Sequence, residues 1–225
     1  MAGKKPEIIL TNDGSYSLRH PELNETYHSQ HGAIRESMHV FIEAGLMYYI
    51  ENHSPTEITI GEVGFGTGLN AWLSLKVSRE YGIKIHYETF EPYPISPELA
   101  EQLNYADNEK NREIFMKLHQ SPWEKAVHVT ENFTLHKTKS PIENAEVKSK
   151  WDVLFFDAFS PGKQPGLWTP DIIKKMYLAL RPGGIFVTYS AKGAVRRSMA
   201  EAGFRVEKLP GPPGKRQMLR GIKPV

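Results

Sequence analysis

No cysteine occurs among the 225 residues, which removes disulfide scaffolds, thiolate zinc sites, iron–sulfur clusters and cysteine nucleophiles. Long apolar runs are missing too: stretches such as Val153 to Phe156 fall far short of the roughly 18 residues of a membrane helix. The opening Met1-Ala2-Gly3-Lys4-Lys5-Pro6 is basic with no apolar run behind it, so it does not read as a signal peptide. No G-x-x-x-x-G-K-[ST] loop supports nucleotide hydrolysis. The nine histidines show no ligand spacing with carboxylates, so no metal is expected. These absences leave a soluble, cytoplasmic chain long enough to bury one sizeable core without staples.

Net charge is slight as well, +2, but unevenly spread. From Ser190 onward nine bases, among them Arg196, Arg197, Lys215 and Arg216, face two acids, Glu201 and Glu207, while upstream 19 bases face 24 acids. Such asymmetry suits contact with a polyanion, because bases that neutralise phosphates release condensed counterions. It equally suits a solvated helix face followed by a basic tail.

Residues 1–54 read as an N-terminal extension, aromatic and histidine-rich, with a helix from Ile34 to Ile50. Residues 55–225 read as the main domain. Strands are expected at Glu57–Val63, Ile83–Phe90, near Phe133, at Trp151–Asp157 and at Ile185–Ser190. Helices are expected at Leu69–Tyr81, Pro97–Asn104 capped by Ser96, Arg112–His119, Pro170–Leu180 and Ala194–Ala202, the last closed by Gly203. Arg181-Pro182-Gly183-Gly184 reads as a helix stop, and Phe204–Leu209 with Gln217–Ile222 as a terminal hairpin. Strands alternating with helices imply an α/β fold with a mostly parallel, doubly wound sheet.

Ligands of such sheets bind beyond the carboxyl ends of the strands. Three features fall there. The first is Glu62-Val63-Gly64-Phe65-Gly66-Thr67-Gly68-Leu69-Asn70, whose glycines allow close backbone approach ahead of a helix N-terminus. The second is Glu91, at the end of the next strand, placed to accept hydrogen bonds from ribose hydroxyls. The third is Asp157-Ala158-Phe159-Ser160-Pro161. The G-x-G-x-G spacing departs from the dinucleotide fingerprint. Glu62 would repel a pyrophosphate and suits a cationic cofactor such as S-adenosylmethionine, which carries a sulfonium and an ammonium.

Glu62 to Asn70, the Asp157–Pro161 segment with Lys163-x-Pro165-x-x-Trp168-Thr169, Gly193-x-Val195-Arg196-Arg197, and Gly214-Lys215-Arg216-Gln217 together resemble a known family. It is the methyltransferase domain of the bacterial tRNA 5-methylaminomethyl-2-thiouridine biosynthesis bifunctional proteins. Asp13-Gly14-Ser15, Glu25 to Ser29 and Val40 to Glu43 match as well, and the resemblance runs over about residues 11 to 222. It implies a class I, Rossmann-like S-adenosylmethionine-dependent methyltransferase fold with a C-terminal antiparallel hairpin. It implies methyl transfer to the aminomethyl nitrogen of a wobble uridine in the tRNA anticodon region. Because the family's oxidase domain would begin where this sequence stops, a stand-alone methyltransferase served by a separate amine-supplying enzyme is expected. An acid usual after the Phe133 strand is replaced by His136-Lys137-Thr138, so the adenine side departs from the pattern.

Carried over residue by residue, Glu62, Gly64, Phe65, Gly66, Gly68, Asn70, Glu91 and Asp157 are expected at the cofactor. Asp157 is the expected catalytic carboxylate, holding or deprotonating the amine; the plain alternative is that it caps the next turn. Phe159 or Trp168 is expected to stack on the extruded base or else to be packing. Tyr27 and Ser29 are expected to close over the substrate or the cofactor's methionine end. Lys163, Arg196, Arg197, Lys215 and Arg216 are expected to meet RNA. Competing readings are a spermidine-synthase-like aminopropyltransferase, a methyltransferase for a small amine, a non-catalytic RNA-binding module and a nicotinamide-dependent dehydrogenase. The first should have a strongly acidic site and no use for the basic C-terminal segment.

Overall fold

The computed structural model describes residues 5–225; Met1–Lys4 of the basic opening lie outside the described residues. The chain begins with an antiparallel sheet of β1 (Glu7–Leu10), β2 (Tyr16–His20) and β3 (Glu25–Thr26). Sequence patterning does not announce it, because no strand exceeds five residues. Asp13 ties this sheet to the first helix: the Thr11 hydroxyl and Ser15 N–H donate to Oδ1 at 2.9 and 3.0 Å, and the Arg35 N–H donates to Oδ2 at 3.0 Å. Asp13-Gly14-Ser15 therefore satisfies a helix N-terminus.

The expected single helix over Ile34–Ile50 is instead α1 (Ala33–Ser37), a π-helical stretch (Met38–Met47) and α2 (Tyr48–His53). The wide coil brings its backbone close to the sheet at Gly45, where a Cβ would lie 2.9 Å from Val187 Cγ2. The chain continues as β4 (Glu57–Val63), α3 (Leu69–Tyr81), β5 (Lys84–Phe90), α4 (Pro97–Ala100), α5 (Glu109–Gln120), β6 (Ala126–Thr130), β7 (Phe133–Thr138) and β8 (Trp151–Phe156). It closes with α6 (Pro170–Ala179), β9 (Leu180–Thr188), α7 (Gly193–Ala202), β10 (Arg205–Pro210) and β11 (Gln217–Ile222). Helix α4 stops well before Asn104 because tertiary bonds claim Asn104 and Tyr105. Asn104 accepts from Tyr16 N–H at 2.7 Å and donates to Gly14 O at 2.8 Å, and Tyr105 O accepts the Trp72 indole N–H at 3.1 Å.

The large sheet runs β10-β11-β9-β8-β4-β5-β7-β6. Strands β9, β8, β4, β5 and β7 are parallel; β6 and β11 run against them, and β10, antiparallel to β11, returns to their direction. The mostly parallel sheet and closing hairpin agree with the sequence reading; the antiparallel β6 edge is an addition. Every residue of β8 is buried. Val153 and Phe155 point into the core shared with α3 and the π-helical stretch, while Leu154 and Phe156 point into the core shared with α6 and α7. Arg181 to Gly184 form the bulged start of β9, across which pairing slips between Trp151 and Val153, rather than a loop. Strand order reverses between β4 and β8, which defines a switch point where both carboxyl ends open on the same side.

Candidate active site

At that switch point lies a cleft of about 1280 Å³. Its floor is the loop from β4 to α3. Gly64, Gly66 and Gly68 have φ of +93°, +50° and +72°, a region other residues enter only with strain. A Cβ on Gly64 would stand 2.8 Å from Asp157 O, and one on Gly66 3.2 Å from Tyr27 Cδ1. The loop is thus held between the chain leaving β8 and the N-terminal extension. Phe65 packs beneath it against His119 and Trp123. His119 donates from Nε2 to Thr67 O at 3.1 Å, and burial lowers its pKa to about 4, so the ring is neutral.

Glu91 closes one side. Its two carboxylate oxygens accept the Gly66 N–H at 3.1 Å and the Tyr93 N–H at 2.8 Å, locking strand end to glycine loop. Burial raises its pKa against those two bonds. Behind the floor, Asn70 Nδ2 donates to Glu62 Oε1 at 3.1 Å and to Asp157 Oδ2 at 2.9 Å. Burial pushes Glu62 up to about 7, opposed by nearby Thr89, Tyr87 and Asn70 groups. Asp157 is held well above the usual carboxylate range, first by burial and then by Glu36 and Glu62. Two carboxylates sharing one amide donor favour a shared proton over two full charges.

Of the sequence-derived residues, Tyr27, Ser29, Gly64, Phe65, Gly66, Asn70, Glu91, Asp157 and Phe159 line the cleft together. Glu62 and Gly68 sit behind them. Phe159 meets the Tyr27 and His20 rings edge-on at 5.2 and 5.7 Å, which places an aromatic group above Asp157's strand end. Trp168 requires correction as a stacking platform. Its indole is buried against Phe156, and its N–H donates to Phe159 O at 2.8 Å, so it braces the loop from within. Lys215 also leaves the expected basic face: its Nζ lies in the cleft, 2.6 Å from Glu36 Oε1 and 3.7 Å from the Tyr189 ring centre. Lys163, Arg196, Arg197 and Arg216 stay exposed outside it.

Several lining residues escaped the sequence reading. Glu36 is a lone acid in a helix, and its buried place beside Lys215 has no local signature. Tyr93, 78% exposed on the rim, comes just after Glu91 and carried no motif. Lys137, at the expected adenine position, turns away: Nζ donates to His119 O at 2.6 Å and lies 4.6 Å from the Trp123 ring. Pro141, Ile142 and Glu143, from the 3₁₀ turn after β7, line the cleft instead.

Comparison with known proteins adds three findings. A family model described as S-adenosyl-L-methionine-dependent methyltransferase matches residues 101–224. The tRNA 5-methylaminomethyl-2-thiouridine biosynthesis bifunctional protein MnmC of Pseudomonas entomophila (strain L48) is 29% identical over 220 residues, covering 89% of this chain and 33% of that protein. Its namesake from Chromohalobacter salexigens is 30% identical over 211 residues, covering 88% and 30%. This chain thus spans about a third of the length of those curated relatives. The crystal structure of MNMC2 from Aquifex aeolicus superposes over 100% of this chain and 74% of its own with a TM-score of 0.80 at 29% identity.

Proposed function

This chain belongs to the S-adenosyl-L-methionine-dependent methyltransferase family, and on that footing we propose that it N-methylates 5-aminomethyl-(2-thio)uridine at the tRNA wobble position. The carrying observation is the glycine loop bonded to Glu91 on one side and lying against Asp157 on the other. The donor fits the residues present. Glu62 Oε2, Asn70 Oδ1 and Thr67 Oγ1 are buried without partners, and Gly64 has no room for a Cβ. Gly64, Phe65 and Gly66 would cradle the donor, with Asn70 toward its cationic end, while Glu62 and Gly68 would support them from behind. Glu91 would meet its ribose, and Ile142 with Glu143 its base.

When bound, the donor would supply a sulfonium methyl group to an amine lone pair, the N–C bond forming as the C–S bond breaks and the sulfur leaves in line as a neutral thioether. Asp157 holds the acceptor nitrogen and takes its proton, for which a raised carboxyl is better matched to an amine than an ordinary one. Tyr27 and Phe159 narrow the approach, and positioning supplies much of the rate. The relatives' names concern tRNA modification, which supports an RNA acceptor here. Exposed Lys163, Lys192, Arg196 and Arg197 support it too: the loop after Asp157 meets the start of α7 where a Gly162 Cβ would lie 3.7 Å from Lys192 Nζ.

One observation favours a second reading. Among the described residues, seven carboxylates, from Glu22, Glu25, Glu36, Glu91, Glu98, Glu143 and Asp157, line the cleft beside two lysines, Lys5 and Lys215, which suits a small polycationic amine. Labelled S-adenosylmethionine offered to tRNA carrying the wobble aminomethyluridine, to fully modified tRNA and to polyamines separates the readings. Label on that nucleoside in the first pool alone is the expected result. Label in polyamines alone would overturn the RNA assignment. Among the described residues no helix is long and apolar enough to cross a membrane.

A further inference from the structure

Glu36 and Lys215 come from opposite ends of the chain and meet inside the cleft. Glu36, on α1, accepts the Ser29 N–H through Oε2 and Lys215 Nζ through Oε1, both at 2.6 Å, and its side chain is 6% exposed. Lys215, in the β10–β11 turn, is brought there by Gly214. That residue has φ +85° and lies so close to His31 that a Cβ would be 2.1 Å from its ring. His39 Nε2 donates to Pro210 O at 2.8 Å and pins the start of the same turn. Lys215 Nζ stands over the Tyr189 ring, whose hydroxyl donates to Ala158 O at 2.8 Å, next to Asp157. The ammonium is therefore held by Glu36 Oε1 and the Tyr189 ring, on a turn that Gly214 and His39 fix in place, and its charge acts on Asp157.

We propose that the Glu36–Lys215 pair is a positioning device that sets the charge around Asp157 so that a primary alkylamine acceptor is presented in its neutral form. This rests on the methyltransferase reading above. A primary amine enters a neutral solution as R–CH2–NH3⁺ and has no lone pair to give. The step needed before methyl transfer is R–CH2–NH3⁺ + Asp157–COO⁻ → R–CH2–NH2 + Asp157–COOH, balanced in protons and charge. A fixed Lys215 ammonium repels the substrate's own positive charge and favours loss of its proton. Glu36 acts with the opposite sign, attracting the ammonium and opposing ionisation of Asp157. The other charged or titratable groups around the pair are Glu62 behind Asp157, His28 and Glu25 on the N-terminal segment, and His31 beside Gly214. Burial lowers the His28 pKa to about 4, so that ring adds no charge near neutrality.

The test is the pH profile of kcat/KM for the full chain with whichever amine acceptor the wild type methylates, using Lys215→Met, Lys215→Arg and Glu36→Gln. Gln keeps an oxygen for Lys215 while removing the negative charge. In Lys215→Met the acid limb is expected to move up by about one pH unit, read as about a tenfold loss on that limb. Lys215→Arg restores it, and Glu36→Gln moves it the other way. A structural brace would instead lower kcat/KM at every pH in both Lys215→Met and Glu36→Gln, and that outcome overturns the proposal. So does an unmoved limb in an active Lys215→Met. Wild-type protein that methylates no amine sinks the functional reading and this inference together, whereas transfer with unmoved limbs sinks this inference alone.

Discussion

Replacing Gly64 with alanine perturbs the glycine loop at its tightest point. Two costs are separable. The φ of +93° asks an L-residue for about 1–2 kcal/mol. The new Cβ would also stand 2.8 Å from Asp157 O, a backbone atom that cannot rotate away, and such overpacking costs about 1–3 kcal/mol more. Gly64 N–H donates to Phe90 O at 3.0 Å and Asp157 N–H to Val63 O at 3.0 Å, so relief requires breaking β4 from β5 or from β8. Gly82, at the end of α3, has φ +67° with nothing within 4 Å of its Cβ position, so Gly82→Ala carries the conformational cost alone. Urea unfolding should show Gly64→Ala less stable than Gly82→Ala by the overpacking cost, about 1–3 kcal/mol. Calorimetric titration with S-adenosylmethionine should show at least about a tenfold loss of affinity in Gly64→Ala, tenfold being about 1.4 kcal/mol, and none in Gly82→Ala. Equal stability of the two variants with wild-type donor affinity in both would refute the packing argument.

Asp157→Asn keeps an oxygen for the Asn70 amide but cannot take a proton, so single-turnover methyl transfer should fall about 10²–10⁴-fold with donor binding largely kept; a rate within a few-fold of wild type would make Asp157 a turn cap. Glu62→Gln tests the raised carboxyl. A folded pKa of about 7 against 4.5 unfolded means the native state binds the extra proton, so ionisation costs stability as pH rises through 4.5 to 7, about 3 kcal/mol in all. Buried His28 and His119, lowered to about 4, act with opposite sign over a similar range, so the readout is the variant-minus-wild-type difference at pH 5 and pH 8, which should grow in the variant's favour. A constant difference counts against the assignment. Neutralising Arg196 and Arg197 together should weaken tRNA binding and reduce the slope of log K against log salt by about two; an unchanged slope would remove α7 from the RNA face.

Periodicity and punctuation carried most of the scaffold. The apolar run Trp151–Phe156 is legible as a doubly covered strand because a strand buried on both faces has no polar side to interrupt it. Gly203 at φ +109° and Ser96 ahead of Pro97 mark a helix end and a helix start because their bonds are local. Elements stabilised by distant partners were not legible. The three N-terminal strands are too short for a period. Helix α4 is cut off by bonds from Asn104 to Tyr16 and Gly14, 88 and 90 positions away in sequence. The π-helical stretch has an ordinary helical sequence, and its close approach at Gly45 involves Val187 of β9.

The site divides along the same line. Gly64, Gly66, Gly68, Glu91 and Asp157 were readable because each sits at a fixed offset from the end of a recognisable strand, and chain direction in a parallel sheet puts those ends on one side. Trp168 and Lys215 were placed by composition and by neighbours in sequence, neither of which fixes where a side chain points. Folding turned the first inward onto Phe156 and Phe159 O, and drew the second 179 positions across the chain onto Glu36. By itself the sequence determined the sheet, its open end and the residues that local geometry must deliver there. Only tertiary structure decided which charges face one another in the cleft, because burial and long-range pairing depend on packing between segments whose separation no local pattern records.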